Sequence, residues 1–132
     1  MAYPEKDVQL TTNFKLSEFR CKCQPFCGHD RINPKIPIMC QEIRDYIGEP
    51  LTINSGCRCP KRNAEAGSSS KNHINGNAAD LSCKMGHHKL FEKIKELHAA
   101  GGVKDLLFCY KESTWIHIDC DRPRTAIFQV QK

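Results

Sequence analysis

The chain has 132 residues, 39% of them hydrophobic and 27% charged, with a formal net charge of +5. That length suffices for one domain with its own core and is too short for two, and no run approaches the roughly 20 apolar residues that span a bilayer. The positive charge is dispersed rather than blocked, which favours weak attraction to polyanions, but no recognition helix, stacking platform or zinc-finger spacing supports nucleic acid as a partner.

Residues 1–7, Met-Ala-Tyr-Pro-Glu-Lys-Asp, lack the apolar core of a secretory leader, so synthesis in the cytoplasm is expected. Residues 14–19 predict a short helical turn with Ser17 as its N-cap. Residues 20–34, rich in Cys, Pro and Gly, read as loop. Asn33-Pro34 then opens a helix to about Ile47, with Pro37 in the first turn, where a missing N–H costs little. Ile36, Met39 or Cys40, Ile43 and Ile47 recur along it at helical spacing, and Gly48 ends it.

Residues 51–55 alternate as a short strand, and the Gly-, Ser- and Asn-rich stretch 56–77 reads as largely irregular. Residues 78–83 form a second short strand. Residues 87–99 give the clearest helix, with Leu90, Phe91, Ile94, Leu97 and His98 on one face and Gly101-Gly102 as its stop. His87-His88, at its start, reads as a solvated pair. Asp105–Tyr110 and Trp115–Cys120 predict two more strands joined by the polar turn 111–114. Helices and strands without a βαβ rhythm imply an α+β domain on a small antiparallel sheet, its helices packed on one side.

The segment His73-Ile-Asn-Gly76-Asn-Ala78-Ala-Asp80 carries the chemical signal. A catalytic zinc needs three nitrogen or carboxylate donors and an open position for water. Here a loop histidine is followed by a glycine-permitted turn and by small residues leading into a strand that carries Asp80. The third donor is expected in Trp115-Ile-His117-Ile-Asp119. Strand alternation places Trp115, His117 and Asp119 on one face and Ile116 and Ile118 on the other. Taken singly, His73 reads as solvated or structural and His117 as a satisfied core histidine. Convergence of the three requires the strand of His117 to pair with that of Asp80.

Together with Ile53-Asn-Ser55-Gly56-Cys-Arg58-Cys-Pro60, these motifs, in this order, resemble the zinc D-alanyl-D-alanine carboxypeptidase family, whose fold is shared with the Hedgehog signalling domain. The likeness is greatest to its small phage and bacterial cell-wall peptidases and runs from Phe14 to Asp119. It implies a single zinc peptidase domain over residues 1–132, with His73, Asp80 and His117 as ligands of one catalytic Zn2+. It also implies substrate binding by Ser55 and Arg58, the latter meeting the substrate or its developing oxyanion; the bland alternative for Arg58 is a surface ion pair. Relatives commonly place an acid three residues before the last histidine, where Thr114 stands here. Glu112 is therefore the preferred general base and Asp119 the other candidate, unless Asp119 instead orients a ligand. Cys57 stands where relatives carry an aromatic residue, and Lys71 where they tend to have serine.

The resemblance implies hydrolysis of peptidoglycan stem peptides, as a D,D-carboxypeptidase or endopeptidase, by a monomer with no nucleic-acid or membrane partner. Release by phage lysis machinery or a virion is expected to bring it to the cell wall. The alternative is a non-catalytic, metal-containing module that binds cell-wall peptide or a protein partner.

Nine cysteines leave at least one thiol unpaired if the rest form disulfides. Cys21, Cys23, Cys27 and His29 are sufficient in type for a second, structural zinc, with Cys40 or Cys57 to complete it, although the spacing is not that of a standard knuckle. Thiols packed as small hydrophobes, or disulfides formed after release, are the preferred reading. Cys57 or Cys59 as a nucleophile lacks an assignable base nearby.

Overall fold

A computed structural model describes residues 7–68, 70–121 and 123–131; residues 1–6, most of the segment read above as lacking a leader core, lie outside it. Helix α1 (Lys35–Ile47) forms where the apolar period is 3.6, and buries Ile36, Pro37, Met39, Cys40 and Ile43. It stops at Gly48, whose left-handed φ of 71° lets its N–H close back onto the Arg44 carbonyl. Ser17 does not cap the preceding short turn Leu16–Phe19. Lys15 holds that place, and the Glu18 carboxylate reaches back to the Lys15 N–H at 2.7 Å. Ser17 bonds instead to Asp7.

Strands β1 (Leu51–Ser55) and β2 (Ala78–Cys83) and helix α3 (His87–Ala99) match the predicted ranges. The stretch between β1 and β2 is less irregular than predicted. Pro60–Glu65 forms a helix, α2, started by Cys59, whose Sγ accepts from the Arg62 N–H at 3.5 Å, with Pro60 in the first turn. That Pro signal lies among Gly and Ser residues that pull the local average toward loop. The third strand begins late, as β3 (Phe108–Lys111), because Val103–Leu106 closes a turn first. β4 (Ile116–Asp119) follows after a turn in which the Glu112 N–H bonds the Trp115 carbonyl.

The sheet is mixed rather than purely antiparallel. Its order is β1-β2-β4-β3-β5, and the edge strand β5 (Phe128–Val130) runs parallel to β3. Three residues carry too little alternation to declare a strand by themselves; pairing with β3 decides it. The sheet's apolar face presents Leu51, Ile53, Ala79, Leu81, Cys109, Ile116 and Ile118, and α1 and α3 cover it with Ile36, Met39, Ile43, Leu90, Phe91 and Ile94. Cys40 and Cys109 belong to this core, where burial pushes both thiols far above the ordinary range. The opposite face carries the polar side chains of Asp80, His117 and Asp119.

Candidate metal centre

Antiparallel pairing of β2 with β4 sets Asp80 directly opposite His117 and Ala78 opposite Asp119. Alternation then turns Ile116 and Ile118 into the core while His117 faces Asp80 across the polar face. His73 arrives from the loop before β2. Its turn depends on Gly76, whose φ of 75° suits no ordinary side chain and whose missing Cβ would collide with the Arg31 carbonyl. The His73 imidazole is thereby brought beside the strand pair, its ring centre 5.3 Å from that of His117.

The three donors converge. His73 Nε2 lies 3.3 Å and His117 Nδ1 3.1 Å from the same oxygen, Oδ1 of Asp80, and all three ligand atoms lie within 4.8 Å of one another. The remaining ring nitrogens have partners of their own. Nδ1 of His73 is 2.7 Å from the Gly56 carbonyl, an acceptor only, so it carries the proton and leaves the Nε2 lone pair pointing at the cluster. Nε2 of His117 is 2.8 Å from Asp119 Oδ2, which likewise directs a lone pair on Nδ1 toward Asp80. Carboxylate or carbonyl partners behind each histidine are the arrangement that orients imidazoles for a metal.

Burial works against charge on Asp80. In the metal-free protein, hydrogen bonds and positive charge from His117 and His73, when those ring nitrogens carry protons, outweigh it and hold its carboxyl well below the usual range. Burial also disfavours a charged His117, yet Asp119 and Asp80 outweigh it and lift the metal-free imidazole to about 9. Two imidazoles and an ionised carboxylate with fixed tautomers fit a borderline divalent cation such as zinc in ligand type and number.

Arg58 closes one side. Its Nη2 bonds Asp80 Oδ2 at 2.9 Å, Nε donates to Ser55 Oγ at 3.0 Å, and Nη1 reaches Asn63 Oδ1 at 3.3 Å. It is thus an interior ion pair rather than a surface one, only 16% exposed at the side chain. Ser55 stands behind the arginine and does not line the cleft over the cluster. That cleft, about 580 Å³, is bordered by Arg58, His73, Asp80, Glu112, His117 and Arg124 among others. Burial, and after it the charge of Asp80, raises the Glu112 carboxyl above its ordinary value. Asp119 is fully buried and takes contacts from His117, from Asn72 Nδ2 at 3.1 Å and from Arg124 at 3.5 Å. Asn63, Asn72 and Arg124 escape a reading of the sequence. Adjacency to His73 was the one hint for Asn72, and neither Asn63 nor Arg124 had any. His87 and His88 stack on each other at the start of α3, with Lys111 Nζ 3.2 Å from His88.

The family described as Peptidase M15 matches residues 12–119, a span that contains the whole cluster. The chain therefore belongs to the M15 family of zinc peptidases. No curated protein and no solved structure matches it.

Proposed function

We propose that the chain is a zinc peptidase that hydrolyses peptide bonds of peptidoglycan stem peptides, as a D,D-carboxypeptidase or an endopeptidase. The observation that carries this reading is the meeting of His73, Asp80 and His117 beside a cleft that also presents Arg58 and Glu112. A zinc ion with three protein ligands keeps a place for water, lowers that water's pKa to about 7 and polarises a carbonyl. His73, Asp80 and His117, whose donor atoms converge, would hold it.

Glu112 is the general base: it takes a proton from the attacking water and returns it to the departing amine. It borders the cleft together with Asp80 and His117, where a carboxylate can accept and then donate the proton. Asp119, locked between His117, Asn72 and Arg124, orients His117 instead. Arg58 offers a planar, permanent positive charge for a substrate carboxylate or a developing oxyanion, and Ser55 and Asn63 hold it in position. The substrate class rests on the resemblance to D-alanyl-D-alanine carboxypeptidases, and the positive charge of Arg58 and Arg124, which both border the cleft, suits a peptide that ends in a carboxylate. Phage lysis machinery or a virion is the route by which such an enzyme meets the wall.

Zinc-loaded protein is incubated with purified peptidoglycan and the released fragments are weighed by mass spectrometry. Cleavage of stem peptides is expected, with loss of activity in His73→Ala. In Glu112→Gln the rate should fall about 10²- to 10⁴-fold at unchanged metal content. Undiminished activity of Glu112→Gln would remove the base assignment. Metal bound with no bond cut would favour the non-catalytic module.

A further inference from the structure

Away from the histidine cluster, a second convergence involves cysteines alone. The Sγ atoms of Cys21, Cys23, Cys27 and Cys59 all lie within 4.8 Å of one another. Cys21 and Cys23 are separated by 3.7 Å and Cys23 and Cys59 by 3.5 Å. Four sulfurs about 2.3 Å from one tetrahedral zinc stand about 3.8 Å from each other. Disulfide sulfurs would sit at about 2.05 Å. Neither Cys40 nor Cys57 completes the set, contrary to the sequence expectation: Cys40 is enclosed in the core, and Cys57 is buried outside the four sulfurs that lie within 4.8 Å of one another. The fourth member is Cys59, 36 residues beyond Cys23.

Backbone donors reach two of the four sulfurs. The Cys59 N–H points at Cys21 Sγ at 3.3 Å and the Arg62 N–H at Cys59 Sγ at 3.5 Å. His29 Nδ1 lies 3.7 Å from Cys27 Sγ, a neighbour outside a coordination sphere that four sulfurs already fill. Such donors to ligand sulfur spread its negative charge and fix its direction. The loop around the first three cysteines contains no helix or strand; Phe26 is buried within it and the Cys21 N–H bonds the His29 carbonyl.

We propose that Cys21, Cys23, Cys27 and Cys59 bind a structural zinc ion that clamps the 20–30 loop onto the Gly56–Cys59 segment. All-thiolate tetrahedral donors select zinc among the common hard and borderline divalent cations. The clamp reaches the other site through the backbone. The Gly56 carbonyl bonds His73 Nδ1 at 2.7 Å, the Arg58 N–H bonds the His73 carbonyl at 3.1 Å, and the Cys57 N–H bonds the Phe19 carbonyl at 2.8 Å. Gly56 is pressed so closely on Phe19 that a Cβ would come within 2.7 Å of its carbonyl oxygen. Fastening Cys59 therefore fixes both Arg58 and the acceptor that sets the His73 tautomer. The assignment stands whether or not the histidine cluster is catalytic.

The test is zinc counting and zinc K-edge X-ray absorption on the full chain carrying His73→Ala and His117→Ala, in which all nine cysteines are intact. One zinc per chain is expected, with about four sulfurs at about 2.3 Å. The unaltered chain should hold two zinc ions averaging about two sulfurs each, a reading that needs no substitution. Cys27→Ser, at the most exposed member, should lower the zinc count by one in either background. A double histidine variant that folds yet binds no zinc would overturn the proposal. So would a shell of nitrogen and oxygen neighbours, iron in place of zinc, or recovery of these cysteines as disulfides.

Discussion

His117 is gripped on both edges of its ring, by Asp80 at Nδ1 and by Asp119 at Nε2, and these two contacts have different consequences. Asp80 shares the side on which the donors converge, whereas Asp119 fixes which nitrogen carries the proton. Asp119→Asn keeps the shape but substitutes an amide for the carboxylate acceptor. Zinc affinity measured by chelator competition should fall about 10- to 100-fold, the usual effect of losing a partner behind a metal-bound histidine. Unchanged affinity would deny Asp119 its orienting role. Of the residues at this scale, His73, Asp80 and His117 were singled out as candidate ligands through the resemblance their motifs carry, since each histidine taken alone reads as solvated or structural. Asn63, Asn72 and Arg124 were not, since amides and guanidinium groups occur everywhere and only proximity gives these their partners.

Among the elements, the turn from His73 to Asn77 delivers the first histidine to the strands. The Gly76 N–H bonds the His73 carbonyl at 3.2 Å and the Asn77 N–H the Asn72 carbonyl at 2.9 Å, while the Gly76 carbonyl accepts from Asn33 at 2.8 Å. Gly76→Ala combines a left-handed backbone with a collision against Arg31 backbone, so the turn must move. A loss of at least about 1–3 kcal/mol is expected in urea unfolding, together with weaker zinc binding because His73 moves with the turn. Glycine was readable here from its place between a histidine and a strand. The helix α2 and the strand β5 were not: six residues and three residues hold too little periodicity, and their neighbours in space settle what they become.

At the scale of the whole molecule, protons and metal compete for the same three side chains. In protein stripped of metal, the His117 pKa is raised to about 9, so its contribution to stability is complete below its ordinary value of about 6.5 and is lost as pH rises through 9. The shift corresponds to about 3 kcal/mol at most. Asp80 has the opposite sign: its depressed pKa stabilises above the ordinary carboxylate range and that contribution is lost on acidification. Metal-free protein should therefore lose thermal stability between pH 6.5 and 9, and His117→Gln should lack that component. Thermal melts of stripped protein across this range check it. Zinc binding must also displace that proton, so affinity at the histidine cluster should strengthen as pH rises toward 9. Flat affinity over that interval would argue against a protonated His117 in the empty site.

Residues a few positions apart determined the ranges of α1, β1, β2 and α3 and the outward turn of His117 against Ile116 and Ile118, because helical and strand periods are local properties of the chain. The candidate ligands came from motifs in order along the chain and the resemblance they carry. Tertiary structure alone decided that Asp80 lies opposite His117, that Cys59 joins Cys21, Cys23 and Cys27, and that Asp119 stands behind an imidazole. Those pairings join segments separated by tens of residues, and their register comes from packing α1 and α3 on the apolar face of a sheet whose last strand runs parallel to its neighbour. A local pattern states what a side chain is able to do; the closing of the core decides what it meets.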